Sequence, residues 1–85
     1  MEKHILFGIH LTDRFNNAVK LQEVFTEYGC NIKTRLGIHE VTKDRCATNG
    51  LILLEMCGDE NKIFEAEKRF AAVPGVEIQK MVFTH

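Results

Sequence analysis

Residues 29–39 read Gly29-Cys30-Asn31-Ile32-Lys33-Thr34-Arg35-Leu36-Gly37-Ile38-His39, and this stretch decides the fold. Gly29 closes an amphipathic run, so a helix C-cap is expected there, where glycine takes a left-handed conformation at little cost. From Asn31 to Glu40 the chain alternates. Ile32, Thr34, Leu36 and Ile38 share one face; Asn31, Lys33, Arg35, Gly37 and His39 share the other. Period two marks a strand with one buried side. Gly37 weakens the strand and is the expected place for a bulge.

Upstream, His4 to Leu11 alternates as well, with Ile5, Phe7, Ile9 and Leu11 on one face and His4, Leu6, Gly8 and His10 on the other. Thr12-Asp13 offers side-chain oxygens for the free amides of a helix start. The helix extends from about Arg14 to Tyr28, with Ala18, Leu21, Phe25 and Tyr28 as its core stripe. Phe15 and Val24 flank that stripe.

Downstream, Val41 to Asn49 is polar and ends in the turn signal Asn49-Gly50, as a long hairpin loop does. Leu51 to Cys57 is nearly all apolar, which fits a central strand covered on both faces. Asp59 caps a second helix, with Ile63, Ala66, Phe70 and Val73 inward. Glu60 near its start and Lys68-Arg69 near its end suit the helix dipole. Val73-Pro74-Gly75 stops it, and Val76 to Phe83 forms the last strand. There Val76, Ile78 and Val82 point inward, and Glu77, Gln79, Met81 and Phe83 point outward.

The order β-α-β-β-α-β predicts one α+β domain over residues 1–85, a ferredoxin-like sandwich. Its four antiparallel strands run 4-1-3-2, with both helices on one sheet face. The opposite face then carries Leu6, Leu51, Leu53, Met81 and Phe83, with His10, Arg35, His39, Glu55 and Cys57 among them. An apolar patch of that size calls for a partner, so a homodimer or homotetramer built on this face or on the edge strands is expected. A chain of this length buries only about 60% of its unfolded surface, and association is a common remedy for the marginal stability that follows.

Composition bounds the function. With 85 residues, 45% hydrophobic, 27% charged and a formal charge of −1, no basic run is present to neutralise phosphates, so direct nucleic-acid binding is not expected. The near-apolar third strand lacks the aromatics of an RNA-binding sheet. Cys30, Cys46 and Cys57 are odd in number and form no C-x-x-C, which reads as reduced thiols in a cytoplasmic protein. No apolar run approaches about 18 residues, and no leader pattern opens the chain, so neither a membrane span nor a signal peptide is expected. Catalysis is not expected either. Leu11-Thr12-Asp13-Arg14 has an arginine but no glycine-rich phosphate loop, and no cysteine has a histidine nearby in sequence.

Two resemblances follow from these residues. Asp13-Arg14-Phe15-Asn16, a helix and Gly29-Cys30-Asn31-Ile32 resemble the D-R-P-G, helix, G-I-N-I pattern of ACT-type regulatory domains, with Phe15-Asn16 where that family has Pro-Gly. Arg35-Leu36-Gly37-Ile38 and Val73-Pro74-Gly75-Val76 are similar to the small proteins called iron-only hydrogenase system regulators. That family is ACT-like and related in shape to the C-terminal domain of the nickel-responsive repressor. The resemblance implies regulation, without naming the signal. In ACT-like dimers the ligand lies near the β1-α1 turn, which implies Thr12, Asp13, Asn16 and Asn17 here, with Arg35 for an acidic group. Helix capping and solvation are the plainer reading of the same residues.

The repressor's nickel site needs an H-x-H, a helix histidine and a hairpin cysteine. His39 and Cys46 match two of these; Gly37 and Thr26 stand at the others, so a square-planar nickel site of that design is rejected. His4 and His10 share a face, but a strand rise separates them by about 20 Å. The sequence reading is therefore a non-enzymatic, cofactor-free sensing domain that homo-oligomerises and acts on transcription or metabolism through a partner protein. A metal sensor using His39 and Cys46, or a purely structural oligomerisation module, are the alternatives.

Overall fold

The computed structural model describes residues 3–12, 14–38 and 50–84, and for residues 14–16 the backbone only. The elements are β1 (Lys3–Leu11), α1 (Arg14–Glu27), a 3-10 turn (Gly29–Asn31), β2 (Ile32–Ile38), β3 (Gly50–Met56), α2 (Glu60–Ala71) and β4 (Val76–Thr84). The four strands form one antiparallel sheet in the order β2-β3-β1-β4, which is the expected order read from the other edge. The fold is ferredoxin-like. Among the described residues no helix is long and apolar enough to cross a membrane.

The core lies between the sheet and the helices. Ile5, Phe7, Ile9 and Leu11 of β1 face it, beside Leu54 and Met56 of β3. From α2 come Ile63, Ala66 and Phe70, with Val73 just beyond. Phe70 meets Phe7 and Phe25 edge to face, at centroid distances of 6.4 and 5.3 Å. Such pairs add to the area term because ring edges and faces carry opposite charge. Asp59 caps α2 as expected, its Oδ1 accepting from the Asn61 amide at 2.9 Å.

Four expectations need correcting. Gly29 is not a left-handed cap. The helix stops at Glu27, Tyr28 sits at φ −110° and ψ 22°, and a 3-10 turn carries the chain into β2. The left-handed glycines among the described residues are Gly58 and Gly75.

The buried stripe of α1 is Leu21, Val24, Phe25 and Tyr28; Ala18 is exposed. The helix leans on β1 and α2 with its C-terminal half, and Ala18 is left over a groove.

The bulge lies at Lys33 rather than Gly37. Ile32 pairs with Met56 and Thr34 with Glu55, so two steps on β2 match one on β3, whereas Gly37 pairs in register with Ile52. One extra residue reverses every later side chain. Thr34, Leu36 and Ile38 therefore share the uncovered face with Glu55, Leu53 and Leu51, while Arg35 and Gly37 turn to the helix side. Arg35 is not on the uncovered face.

Last, β3 is central in the sheet but covered on one side only: Leu54 is buried, Leu53 half-buried and Leu51 exposed.

Candidate functional site

The uncovered sheet face carries all five residues expected to meet a partner. Leu6 and Leu53 are half-buried, and Leu51, Met81 and Phe83 are exposed. The bulge adds Leu36 and Ile38, at 55% and 41% exposure, which strict alternation had placed in the core. Glu55 lies among them, accepting from Thr34 Oγ1 at 3.3 Å, with His4 Nδ1 at 3.7 Å and Lys33 Nζ at 3.9 Å.

The β1-α1 turn is engaged in holding the fold together. The Thr12 amide donates to the Gly75 carbonyl at 2.8 Å, and Asn17 Nδ2 donates to the Thr12 carbonyl at 3.2 Å. Gly75, at φ +80°, fits beneath both; a Cβ there would lie 2.7 Å from Asn17 Nδ2 and from the Thr12 oxygen. These contacts tie the start of α1 to the start of β4. Asp13 lies outside the described residues, as does the side chain of Asn16.

On the helix side, between α1 and the β2-β3 pair, runs an open groove of about 620 Å³. It begins at Leu11, passes Ala18, Leu21, Gln22 and Phe25 of α1, and has Gly37, Gly50 and Ile52 on the strand side. Arg35 borders it. The Arg35 guanidinium lies over the Phe25 ring, 4.0 Å from the centroid, and has no ion-pair partner among the described residues. Stacking fixes the planar group and leaves its N–H edge to bind a carboxylate or phosphate. Of the residues expected to bind a ligand, the structure thus brings Arg35 to a groove. Thr12 and Asn17 do not line it.

The groove residues Leu21, Phe25, Gly37, Gly50 and Ile52 were not foreseen as a site. Two glycines at the β2-β3 pair were the available signal. Among the described residues nothing within 4 Å would meet a Cβ added to either.

His39 and Cys46 lie outside the described residues, and among those described no group of three metal-ligating side chains comes together. Cys30 and Cys57 are free thiols, and Cys57 Sγ lies 3.9 Å from the Cys30 carbonyl. Around them the Cys57 amide donates to the Asn31 carbonyl at 2.8 Å, and Asn31 Nδ2 donates to the Cys57 carbonyl at 3.0 Å. Among the described residues the buried Tyr28 hydroxyl has no hydrogen-bond partner of good geometry, and Glu65 is its neighbour. Burial, and then the neighbouring Glu65 carboxylate, hold its pKa above the ordinary tyrosine value.

No protein-family model matches the chain, and none of the curated proteins matches it. Among solved structures it is similar to the uncharacterized protein TM1266 from Thermotoga maritima, with a TM-score of 0.77, 17% identity and coverage of 98% of this chain and 100% of the other. It is similar to CPII from Thiomonas intermedia K12, described as a nitrogen regulatory PII-like protein bound to ADP, AMP and bicarbonate; the TM-score is 0.56, with 11% identity over 99% and 96% of the two chains. The de novo designed protein Foldit4 reaches 0.54, with 11% identity over 99% of each. A designed sequence thus stands as near as CPII does, and likeness at this level speaks for the fold alone.

Proposed function

We propose that this chain is a non-enzymatic regulatory domain that senses a small molecule, homo-oligomerises and acts through a partner protein. The observation that carries this reading is the groove: apolar walls along α1 and one stacked arginine that has no ion pair among the described residues. An unneutralised cation beside an apolar hollow fits an effector with an anionic end. CPII supports the reading by analogy, as a protein of this fold described as regulatory and bound to ADP and AMP.

The uncovered sheet face supplies the assembly surface. Leu36, Ile38, Leu51, Met81 and Phe83 are 38–55% exposed; with Leu53 and Leu6 they make one apolar cluster on β2-β3 and another on β1-β4, with Glu55 and His10 between them. Hydrophobic burial at about 25 cal/mol per Å² favours covering such a surface with a second copy.

Native mass spectrometry of protein purified without chelator tests both parts. A dimer or tetramer carrying an organic mass is the expected result. A metal mass lost on chelation would favour the His39–Cys46 sensor instead. A bare monomer would remove the assembly role from the sheet face.

A further inference from the structure

We infer that the groove takes a small organic acid with an apolar body and no amine, its carboxylate held by Arg35. This rests on the small-molecule reading above and narrows it to a ligand class.

Size and shape come first. About 620 Å³ suits a body of one or two rings. Gly37 and Gly50 lie on the strand side of the groove, and open space stands where each Cβ would be. A flat group can therefore approach strand backbone there, which a side chain at either position would prevent. Leu11, Leu21, Phe25 and Ile52 give it apolar contact on the remaining sides.

Charge decides the rest. Arg35 is the one ionised group on the groove among the described residues, and no aspartate or glutamate lines it. A carboxylate placed there gains paired N–H donors from a guanidinium already held over Phe25. An amino acid would bring an ammonium as well. Among the described residues no carboxylate lines the groove to meet that ammonium, and the neutral Gln22 amide is the one polar side chain there besides Arg35. The groove therefore selects the plain acid over its amino-acid counterpart. It also selects the acid over the neutral amide, which cannot make the charged pair.

The test is a titration of the full chain, followed through the backbone amide signals of Gly37 and Gly50. The three probes are 3-phenylpropionate, phenylalanine and 3-phenylpropanamide. The acid should shift both signals and bind about tenfold or more tightly than either analogue. Arg35→Gln should abolish that preference. Gly37→Val, which fills the strand side of the groove while keeping Arg35, should weaken the acid by a similar factor with no loss of melting temperature. Phenylalanine binding as tightly as the acid would overturn the ligand class while leaving a small-molecule site in place. Unchanged binding in Arg35→Gln would overturn the role of the arginine. Silence of all three probes would overturn the inference, and an organic mass retained in native mass spectrometry would then show that the sensing reading survives it.

Discussion

The second half of the chain, β3-α2-β4, has a stop or a start at every boundary. Gly58 turns at φ +94°, Asp59 caps α2, Glu60 and Lys68-Arg69 match the helix dipole, and Gly75 turns at φ +80° into β4. The first half, β1-α1-β2, is looser. Its helix has no acidic residue in the first turn and no basic one in the last, it ends without a left-handed residue, and its second strand begins with a bulge. Burial divides the chain differently, since β1 supplies Ile5, Phe7, Ile9 and Leu11 to the core and β4 keeps seven of its nine residues exposed. Ile63, Ala66 and Phe70 of α2 are sealed, whereas β2 keeps six of its seven residues exposed. A helix that is less tightly specified leans on β1 and α2, and the space left between it and the β2-β3 pair is the groove. Sharply specified boundaries are concentrated in one half and most of the groove lies in the other.

Truncating one ring from each half tests this division most severely. Phe70→Ala should cost about 3–5 kcal/mol, since the ring is fully buried between Phe7 and Phe25. Phe25→Ala should cost roughly half as much, because its ring already borders open space and no closed cavity is left. Urea denaturation of both variants measures the gap, and equal costs would erase the contrast.

A second pair applies one substitution to two glycines. Gly75→Ala should destabilise by about 2–3 kcal/mol, through the positive φ and the collision with Asn17 and Thr12. Gly37→Ala should be neutral or stabilise by up to about 0.5–1 kcal/mol, since the strand gains a residue of lower conformational entropy and the Cβ meets nothing. Opposite signs in thermal melts are the expected result.

The caps come next. Asp59→Ala should cost about 1 kcal/mol by leaving the Asn61 amide without its acceptor. An alanine placed at Gln22, on the exposed side of α1, should change stability by only a few tenths of that.

The smallest effect is in pH. Tyr28 has a folded pKa raised above 10.0, so the folded state keeps its proton where the unfolded chain has lost it. Stability is then fully present below pH 10 and falls as pH rises through that value toward the folded pKa. Tyr28→Phe should flatten this alkaline limb and raise the melting temperature slightly, because a buried hydroxyl with no partner of good geometry among the described residues disappears.

The sequence carried the second half almost completely. Asp59, Pro74-Gly75 and the stripe Ile63, Ala66, Phe70 are local signals, each readable within a few residues. The inward face of β1 was equally clear. β2 was legible as a strand but not in its parity. Ile32-Thr34-Leu36-Ile38 alternates well whichever way it faces, and nothing in Lys33 announces that the chain gains a residue there. Arg35 was singled out for an acidic group yet placed on the wrong face, because a single shift of register moves every residue after it. The groove was invisible for a different reason. Its strand side joins residues from β2 and β3, and its other wall is a helix that comes before both in the chain. Such a surface exists only once the sheet and helix have packed together.

The bulge at Lys33 has a consequence on another scale. Were Lys33 paired with Glu55 instead of bulged, β2 would slide by one residue and alternate simply. Leu36 and Ile38 would swing beneath α1, and Arg35 would move out to the uncovered face. The groove would fill with aliphatic side chains, and the patch on the other side would gain a charge and lose two of its apolar residues. One step of register thus separates a sheet built to bind and associate from one with a fuller core and a more polar surface. Relatives on the two sides of that step could keep the same fold and nearly the same sequence while having little function in common.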